Sequence, residues 1–178
     1  MNITILKGSP HTNGTTNLLT EYFIKGALEN GHNIQSFDTA KELIHPCLGC
    51  NHCRKSGNEC VYKDGMEKLN PMLMDSDIVV LVTPLYYFGM SAQIKAALDR
   101  FFANNTLLRS QKKHFILISA CGDNDSWAMD GLKAHYECLC RYMHWESAGE
   151  LYAYGMYVKE DLLNSPYLEQ AYNLGLSL

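Results

Sequence analysis

Four cysteines fall within residues 47–60 and are the feature of this sequence best suited to chemistry. Cys47, Cys50, Cys53 and Cys60 follow the pattern C-x2-C-x2-C-x6-C. Thiolates are soft ligands, and four of them on one loop suit a [4Fe-4S] cluster or a zinc ion. The compact spacing differs from that of zinc ribbons, in which two CxxC pairs stand well apart. The alternative is that the four thiols hold no metal.

A second candidate site is the segment of residues 8–17, which reads GSPHTNGTTN. Its hydroxyl and amide side chains stand directly before the first predicted helix. Free backbone N–H groups and the positive end of a helix dipole can bind a phosphate dianion at such a position. Neither a Walker A motif nor GxGxxG is present, which disfavours ATP and a Rossmann-bound dinucleotide. The alternative is that these residues only form a turn and cap the helix.

The elements that must position these residues are predicted from periodicity and turn signals. Five strands are expected, at residues 2–7, 33–37, 78–82, 115–119 and 149–156. Helices are expected between them, beginning at Thr15, covering residues 66–74, 94–101 and 132–143, and beginning again at Pro166. The run Ile-Val-Val-Leu-Val at residues 78–82 is the most apolar and is typical of a central strand covered on both faces.

This alternation predicts an α/β fold with a doubly wound, five-stranded parallel sheet and helices on both faces, because β-α-β crossovers are right-handed. The simplest strand order is 2-1-3-4-5. Ligands of such sheets bind at the carboxyl ends of the strands, where the order reverses. The loops at residues 8–17, 84–89 and 120–125 are therefore expected to converge.

Composition limits the class of protein. The chain has 178 residues, 47% of them hydrophobic and 19% charged, with a net charge of −4. One domain over residues 1–178 is expected, with a Cys-rich loop at residues 39–64. No run of Lys or Arg predicts a nucleic-acid or membrane partner, and no apolar stretch approaches a membrane span. The absence of a signal peptide and the seven cysteines predict a reduced, cytoplasmic chain.

Three motifs resemble one family. Gly8-Ser9-Pro10 with residues 13–16, and the stretch from Thr83 to Lys95, resemble two signatures of the NADPH-dependent FMN reductase branch of flavodoxin-like proteins. The cysteine pattern with residues 64–66 is similar to that of the iron–sulfur flavoproteins. The likeness covers residues 1–125. Two positions depart from it: His11 stands where many relatives carry Arg, and residues 64–65 carry one acid where relatives often show two.

The resemblance implies which residues hold the cofactor FMN. It places the phosphate on Ser9, His11, Asn13, Thr15, Thr16 and Asn17. It places the isoalloxazine against Pro84, Leu85, Tyr86, Tyr87, Phe88 and Gly89, and near Ser119, Ala120, Cys121 and Gly122. A flavin needs flat apolar walls and backbone groups at its pyrimidine edge, and residues 84–89 offer both; the alternative for their aromatic rings is ordinary packing at a strand end. Trp127 either flanks the flavin or anchors its own helix.

The implied function is an oxidoreductase in which NAD(P)H reduces FMN and electrons pass to an unidentified acceptor, through a [4Fe-4S] cluster if Cys47, Cys50, Cys53 and Cys60 hold one. The cofactor supplies the chemistry, so no catalytic acid or base is required. Asp99 and Arg100 are expected to be a structural pair or an interface element. The alternatives are a non-enzymatic FMN electron carrier and a flavin-binding sensor. A homo-oligomer, either a dimer or a tetramer, is also implied.

Overall fold

The computed structural model describes residues 1–178 and contains one five-stranded sheet, all of whose strands are parallel. The strand order is β2-β1-β3-β4-β5, which confirms the flavodoxin-like order predicted from sequence. The strands are β1 (Asn2–Lys7), β2 (Asn33–Asp38), β3 (Ile78–Pro84), β4 (His114–Ala120) and β5 (Glu146–Ala153). The order reverses beside β1 and β3, so their carboxyl ends border the expected crevice.

Helices cover both faces of this sheet. They are α1 (Thr15–Glu29), α2 (His52–Lys55), α3 (Met66–Asp75), α4 (Ala92–Arg100), α5 (Asn105–Ser110), α6 (Asp130–Met143), α7 (Lys159–Leu163) and α8 (Tyr167–Leu176), with a 3₁₀ turn at Phe101–Asn104. None of them is long and apolar enough to cross a bilayer. The short helices α2, α5 and α7 were not expected, because segments of four to six residues are too short to show helical periodicity.

The central strand β3 is buried from Ile78 to Thr83 and separates two apolar layers. Val79 and Leu81 pack on one side with α3, α4 and α6, whereas Ile78 and Val80 pack on the other with α1 and α8. Burial on both faces explains why the sequence of this strand is continuously apolar and does not alternate.

Strand β5 was predicted at residues 149–156 and instead spans Glu146–Ala153. It pairs with β4 from His114 onward, and the register shifts between Phe115 and Ile116. The first residues of β5 are exposed at the edge of the sheet and lack the apolar pattern that marks a buried strand. The prediction therefore started the strand late and extended it past its true end.

Helix α8 packs closely against α1, the helix that follows the predicted phosphate loop. Gly26 on α1 faces the backbone carbonyl of Tyr172, and Gly175 on α8 faces that of Phe23. A Cβ atom at either glycine would collide with that backbone. The two glycines allow the helices to approach and so hold α1 in place beneath its loop.

Candidate functional site

The three loops expected to converge do so around one cleft of about 980 Å³ at the carboxyl edge of the sheet. The backbone N–H of Leu85 donates to the carbonyl of Ala120 at 3.0 Å and joins the loops after β3 and β4. Eleven of the predicted FMN residues line this cleft: Ser9, His11, Asn13, Thr15, Thr16, Pro84, Leu85, Tyr86, Ala120, Cys121 and Gly122. Five others, Asn17, Tyr87, Phe88, Gly89 and Ser119, lie outside its lining.

The loop before α1 presents unpaired backbone donors to the cleft. The N–H groups of residues 12–17 donate to no other group of the protein, and Gly14 caps α1 without a side chain. The N–H of His11 is taken by Ser9 Oγ at 3.2 Å. Asn17 Nδ2 donates to the carbonyls of His11 (2.7 Å) and Thr12 (2.9 Å), so it braces the loop from within. Unpaired donors at the positive end of a helix suit an anion.

The loop after β3 folds into a tight hairpin. Tyr86 and Gly89 exchange two backbone hydrogen bonds, of 3.0 and 3.1 Å. The two residues between them, Tyr87 and Phe88, both lie in the left-handed region, with φ values of 47° and 63°. Large side chains rarely adopt this conformation, which glycine or asparagine usually supplies in such turns. Residues held in this way cluster at functional sites.

The hairpin places its aromatic rings differently from the sequence expectation. Tyr86 lines the cleft, whereas Tyr87 is fully exposed. Phe88 stacks on Trp127, with the ring centroids 5.1 Å apart, and both rings are about half exposed. Trp127 therefore supports the hairpin from the side and does not line the cleft.

Three predicted residues of β4 and its following loop are buried, Ser119, Ala120 and Cys121. Ser119 is fully buried in β4, and its Oγ has no hydrogen-bond partner. Cys121 lines the cleft, and its Sγ donates to the carbonyl of Asp123 at 3.3 Å. Burial raises the pKa of the Cys121 thiol above its usual value, so at neutral pH the group is a thiol and not a nucleophilic thiolate.

The sequence did not reveal the fourth wall of the cleft, residues 156–160, which follow β5. This segment is held by backbone bonds from Met156 N–H to Cys121 (2.7 Å) and from Gly155 N–H to Asp123 (2.8 Å). Gly122 permits the approach, because a Cβ there would lie 2.7 Å from the ring of Tyr157. The segment was missed because β5 was predicted to run to residue 156. The signal available was topological, since the loop after a fifth parallel strand must leave from this same edge.

The cysteine loop is anchored at its base by a buried ion pair that the sequence did not predict. Arg100 and Asp64 meet at 2.8 Å, with side chains only 2% and 1% exposed. Arg100 also donates to the carbonyl of His45 at 2.8 Å, and Asp64 accepts from the N–H of His45 at 3.0 Å. Arg100 therefore pairs with Asp64 and not with Asp99, which pairs with Lys95 on the surface.

The pKa of Asp64 reflects this environment. Burial would raise it, but the Arg100 guanidinium and the N–H groups of His45 and Met66 lower it to about 2. The carboxylate is thus charged at neutral pH and bound on both sides. Asp64 ends the loop, and His45 lies two residues before its first cysteine, so Arg100 holds the two sides of the cysteine-bearing part together.

Aromatic contacts add to this anchorage. The His45 and Tyr62 rings stack with centroids 4.4 Å apart, and Arg100 lies over the ring of Tyr62. Within the loop, Arg54 on α2 lies 4.8 Å from the ring centroid of Phe102. The base of the loop is therefore packed against the end of α4 and the 3₁₀ turn.

The four cysteines between these anchors do not form a metal site. Cys47 and Cys50 are exposed, Cys53 and Cys60 are partly exposed, and all are free thiols. No three His, Cys, Asp or Glu side chains are arranged so that they could hold a metal ion. The thiols suit iron or zinc by their chemistry, but their arrangement here does not fit a cluster.

Curated relatives share part of this sequence. An iron–sulfur flavoprotein of Methanocaldococcus jannaschii is 31% identical over 100 residues, which are 56% of this chain and 51% of that protein. One from Archaeoglobus fulgidus is 40% identical over 95 residues, 53% of this chain and 48% of the relative. The chain spans about half the length of the curated relatives it matches.

A solved structure and a family profile complete the comparison. The NAD(P)H:quinone oxidoreductase from Methanothermobacter marburgensis superposes with a TM-score of 0.81 over 99% of this chain and 95% of that one. At 15% identity this likeness shows a common fold, the flavodoxin-like one. The profile of the family described as NADPH-dependent FMN reductase matches residues 1–143, which include the loop before α1, the hairpin and the loop after β4. The chain therefore belongs to the NADPH-dependent FMN reductase family.

Proposed function

We propose that this chain is an FMN-dependent oxidoreductase that takes electrons from NAD(P)H and passes them to an acceptor. The observation that carries the proposal is the cleft in which unpaired N–H groups at the start of α1 face the apolar wall of Pro84, Leu85 and Tyr86. Membership of the FMN reductase family supports it. The volume of the cleft, about 980 Å³, is in the range of cofactor sites.

The residues present fit FMN. The donors of residues 12–17 and the hydroxyls of Ser9, Thr15 and Thr16 would hold the phosphate. The apolar wall of the hairpin and the backbone of residues 120–122 would hold the ring. Bound FMN supplies the redox chemistry, accepting a hydride and releasing electrons singly or in pairs.

The chain's own residues bind and orient in this proposal and do not act as acids or bases. Cys121, the thiol that lines the cleft, stays protonated because burial raises its pKa. The strained turn at Tyr87 and Phe88 directly follows the apolar wall proposed to hold the ring. The role of these residues is therefore to bind and orient the cofactor.

A binding experiment tests the phosphate assignment. The double variant Ser9→Ala, Thr16→Val should weaken the binding of FMN by about 1–3 kcal/mol for each lost donor. The control is Thr106→Val, an exposed threonine on α5 away from the cleft. FMN affinity equal to wild type in the double variant would refute the assignment.

Turnover separates the enzyme from its alternatives. Steady NADH or NADPH oxidation with a soluble benzoquinone as acceptor supports the reductase, and the name of the solved neighbour supports a quinone as first probe. An electron carrier or a flavin-binding sensor would retain FMN and oxidise nicotinamide hardly at all. The same assay compares NADH with NADPH.

The cysteine loop adds a second element to the proposal. We infer that it takes up a [4Fe-4S] cluster only by rearranging between its anchored ends, since the thiols stand apart in the structure. The spacing of Cys47, Cys50, Cys53 and Cys60 and the iron–sulfur names of the relatives support uptake. Anaerobic reconstitution should yield stoichiometric iron and sulfide, and Cys50→Ser should abolish them. A wild-type chain that takes up no iron is a flavin-only reductase.

We also propose that the chain forms a homo-oligomer, most simply a dimer. The hairpin and its neighbour expose three large rings, of Tyr87, Phe88 and Trp127, at one place. Contiguous apolar surface of this kind is typical of interfaces. Light scattering at working concentration should give at least twice 20.1 kDa, and a monomer mass would refute the proposal.

A further inference from the structure

The cleft is poor in positive charge. Its lining contains two side chains that can be cationic, His11 and Lys159, and one carboxylate, Glu160. Residues 8–17 include no Lys or Arg. Lys7, directly before the loop, pairs at 3.7 Å with Asp38. A phosphate in this cleft would therefore meet one lysine side chain, that of Lys159, besides the imidazole of His11.

Lys159 is free to serve that purpose. It is exposed and forms no salt bridge. The neighbouring carboxylate of Asp161 accepts from the N–H of Val158 at 2.8 Å and caps the same turn. Lysine keeps a compact charge on a flexible stem, so it can follow a phosphate without a rigid geometry.

Lys159 and the loop of residues 8–17 border the same cleft from different elements. Helix α7, which begins at Lys159, contacts α1, whose amino end carries that loop. The preceding residues are tied to the loop after β4 by the bonds of Gly155 and Met156. A residue outside the sequence motifs is thereby brought to the rim of the same cleft.

We propose that Lys159 recognises a phosphate monoester in this cleft and is a specificity-determining residue of the reductase. The inference rests on the proposed function. Two molecules of that function carry such a group, FMN at its ribityl end and NADPH at its 2′ position. Riboflavin and NADH are the matching molecules without it. Glu160, the carboxylate beside Lys159, should oppose the same phosphate.

The experiment compares Lys159→Gln with Lys112→Gln. Lys112 is exposed and precedes β4, at the edge of the sheet opposite the cleft. Both variants replace one lysine by glutamine and therefore have the same net charge. Dissociation constants are measured for FMN and riboflavin, and KM values for NADPH and NADH. Lys159→Arg keeps the charge and should restore wild-type values, whereas Glu160→Gln should shift the phosphate-bearing ligand in the opposite direction.

The outcomes identify the source of the phosphate. If the phosphate is that of FMN, Lys159→Gln raises the dissociation constant of FMN about 5-fold or more and leaves that of riboflavin unchanged. If it is that of NADPH, the KM for NADPH rises about 5-fold while NADH and FMN are unchanged. Values equal to those of Lys112→Gln for all four molecules overturn the inference alone. A wild-type chain that binds neither flavin overturns the proposed function, and this inference with it.

Discussion

The cleft loops and the cysteine loop differ in how their reactive groups are positioned. Each cleft loop leaves the end of a strand, and the loops after β3 and β4 are joined directly by a backbone bond. The cysteine loop is held at its base by Arg100 and Asp64, while its cysteines are exposed or partly exposed and lie apart. The strand ends position the cleft loops, whereas the cysteine loop is held only at its base.

The difference shows what spacing along a chain can determine. In a loop that leaves a buried strand, the sheet fixes where the loop begins. The position of a residue in the sequence therefore predicts its position in the fold. In a long loop held only at its base, the residue types indicate which metal the loop could bind. Their spacing does not fix the distances between the ligand atoms. The sharpest tests of this contrast act on the anchor, on the hairpin and on the thiols.

Breaking the anchor should have the largest effect. Arg100→Met leaves the buried Asp64 carboxylate without its partner and should lower the free energy of unfolding by about 3–5 kcal/mol. Lys95→Gln on the same helix removes the exposed pair with Asp99 and should cost less than about 1 kcal/mol. Chemical denaturation of both variants measures the difference. Equal losses would mean that the buried pair does not hold the loop.

Acid should weaken the same anchor. The folded-state pKa of Asp64 is about 2, below its ordinary value of 3.8, so its stabilising contribution is fully present above about pH 4. It is lost as the pH falls from about 4 towards 2. Unfolding free energies between pH 5 and 2 should fall less steeply in Asp64→Asn than in wild type. Identical slopes would contradict the assignment.

Relieving the strained hairpin should have a smaller effect of the opposite sign. Tyr87 is fully exposed with a φ of 47°, and asparagine tolerates that conformation. In the dissociated monomer, measured at dilution, Tyr87→Asn should raise the free energy of unfolding by about 0.5–1 kcal/mol. Tyr157→Asn, an exposed tyrosine with no left-handed backbone, should not stabilise. A Tyr87→Asn monomer no more stable than the wild-type monomer would contradict the strain assigned to this turn.

The smallest effect is expected in the cysteine loop itself. Cys50→Ser alters an exposed thiol and should change stability by no more than about 0.5 kcal/mol, with FMN affinity unchanged. Cys121→Ser, in the buried wall of the cleft, should weaken FMN measurably. Fluorescence titration with FMN compares the two. Loss of FMN in Cys50→Ser would show that the two regions are coupled.

Much of the fold was readable from local pattern. The continuous apolar run of β3 and the alternation of strands and helices led to the strand order that the structure has. The bounds of β5 were wrong because an edge strand with an exposed start lacks that pattern. The placement of FMN on the cleft residues stays a prediction, for which the structure supplies a fitting cleft.

The sequence by itself determined the alternation of strands and helices and carried the motifs of the family, because these are patterns of short range. The strand order 2-1-3-4-5 was the simplest choice for that alternation, and the structure confirms it. Only the tertiary structure decided which residues complete the site. The pair of Arg100 with Asp64 joins residues far apart in the chain, and Lys159 reaches the cleft because α7 follows β5 at the shared edge. Such contacts depend on where the sheet places distant segments, and no local spacing encodes that placement.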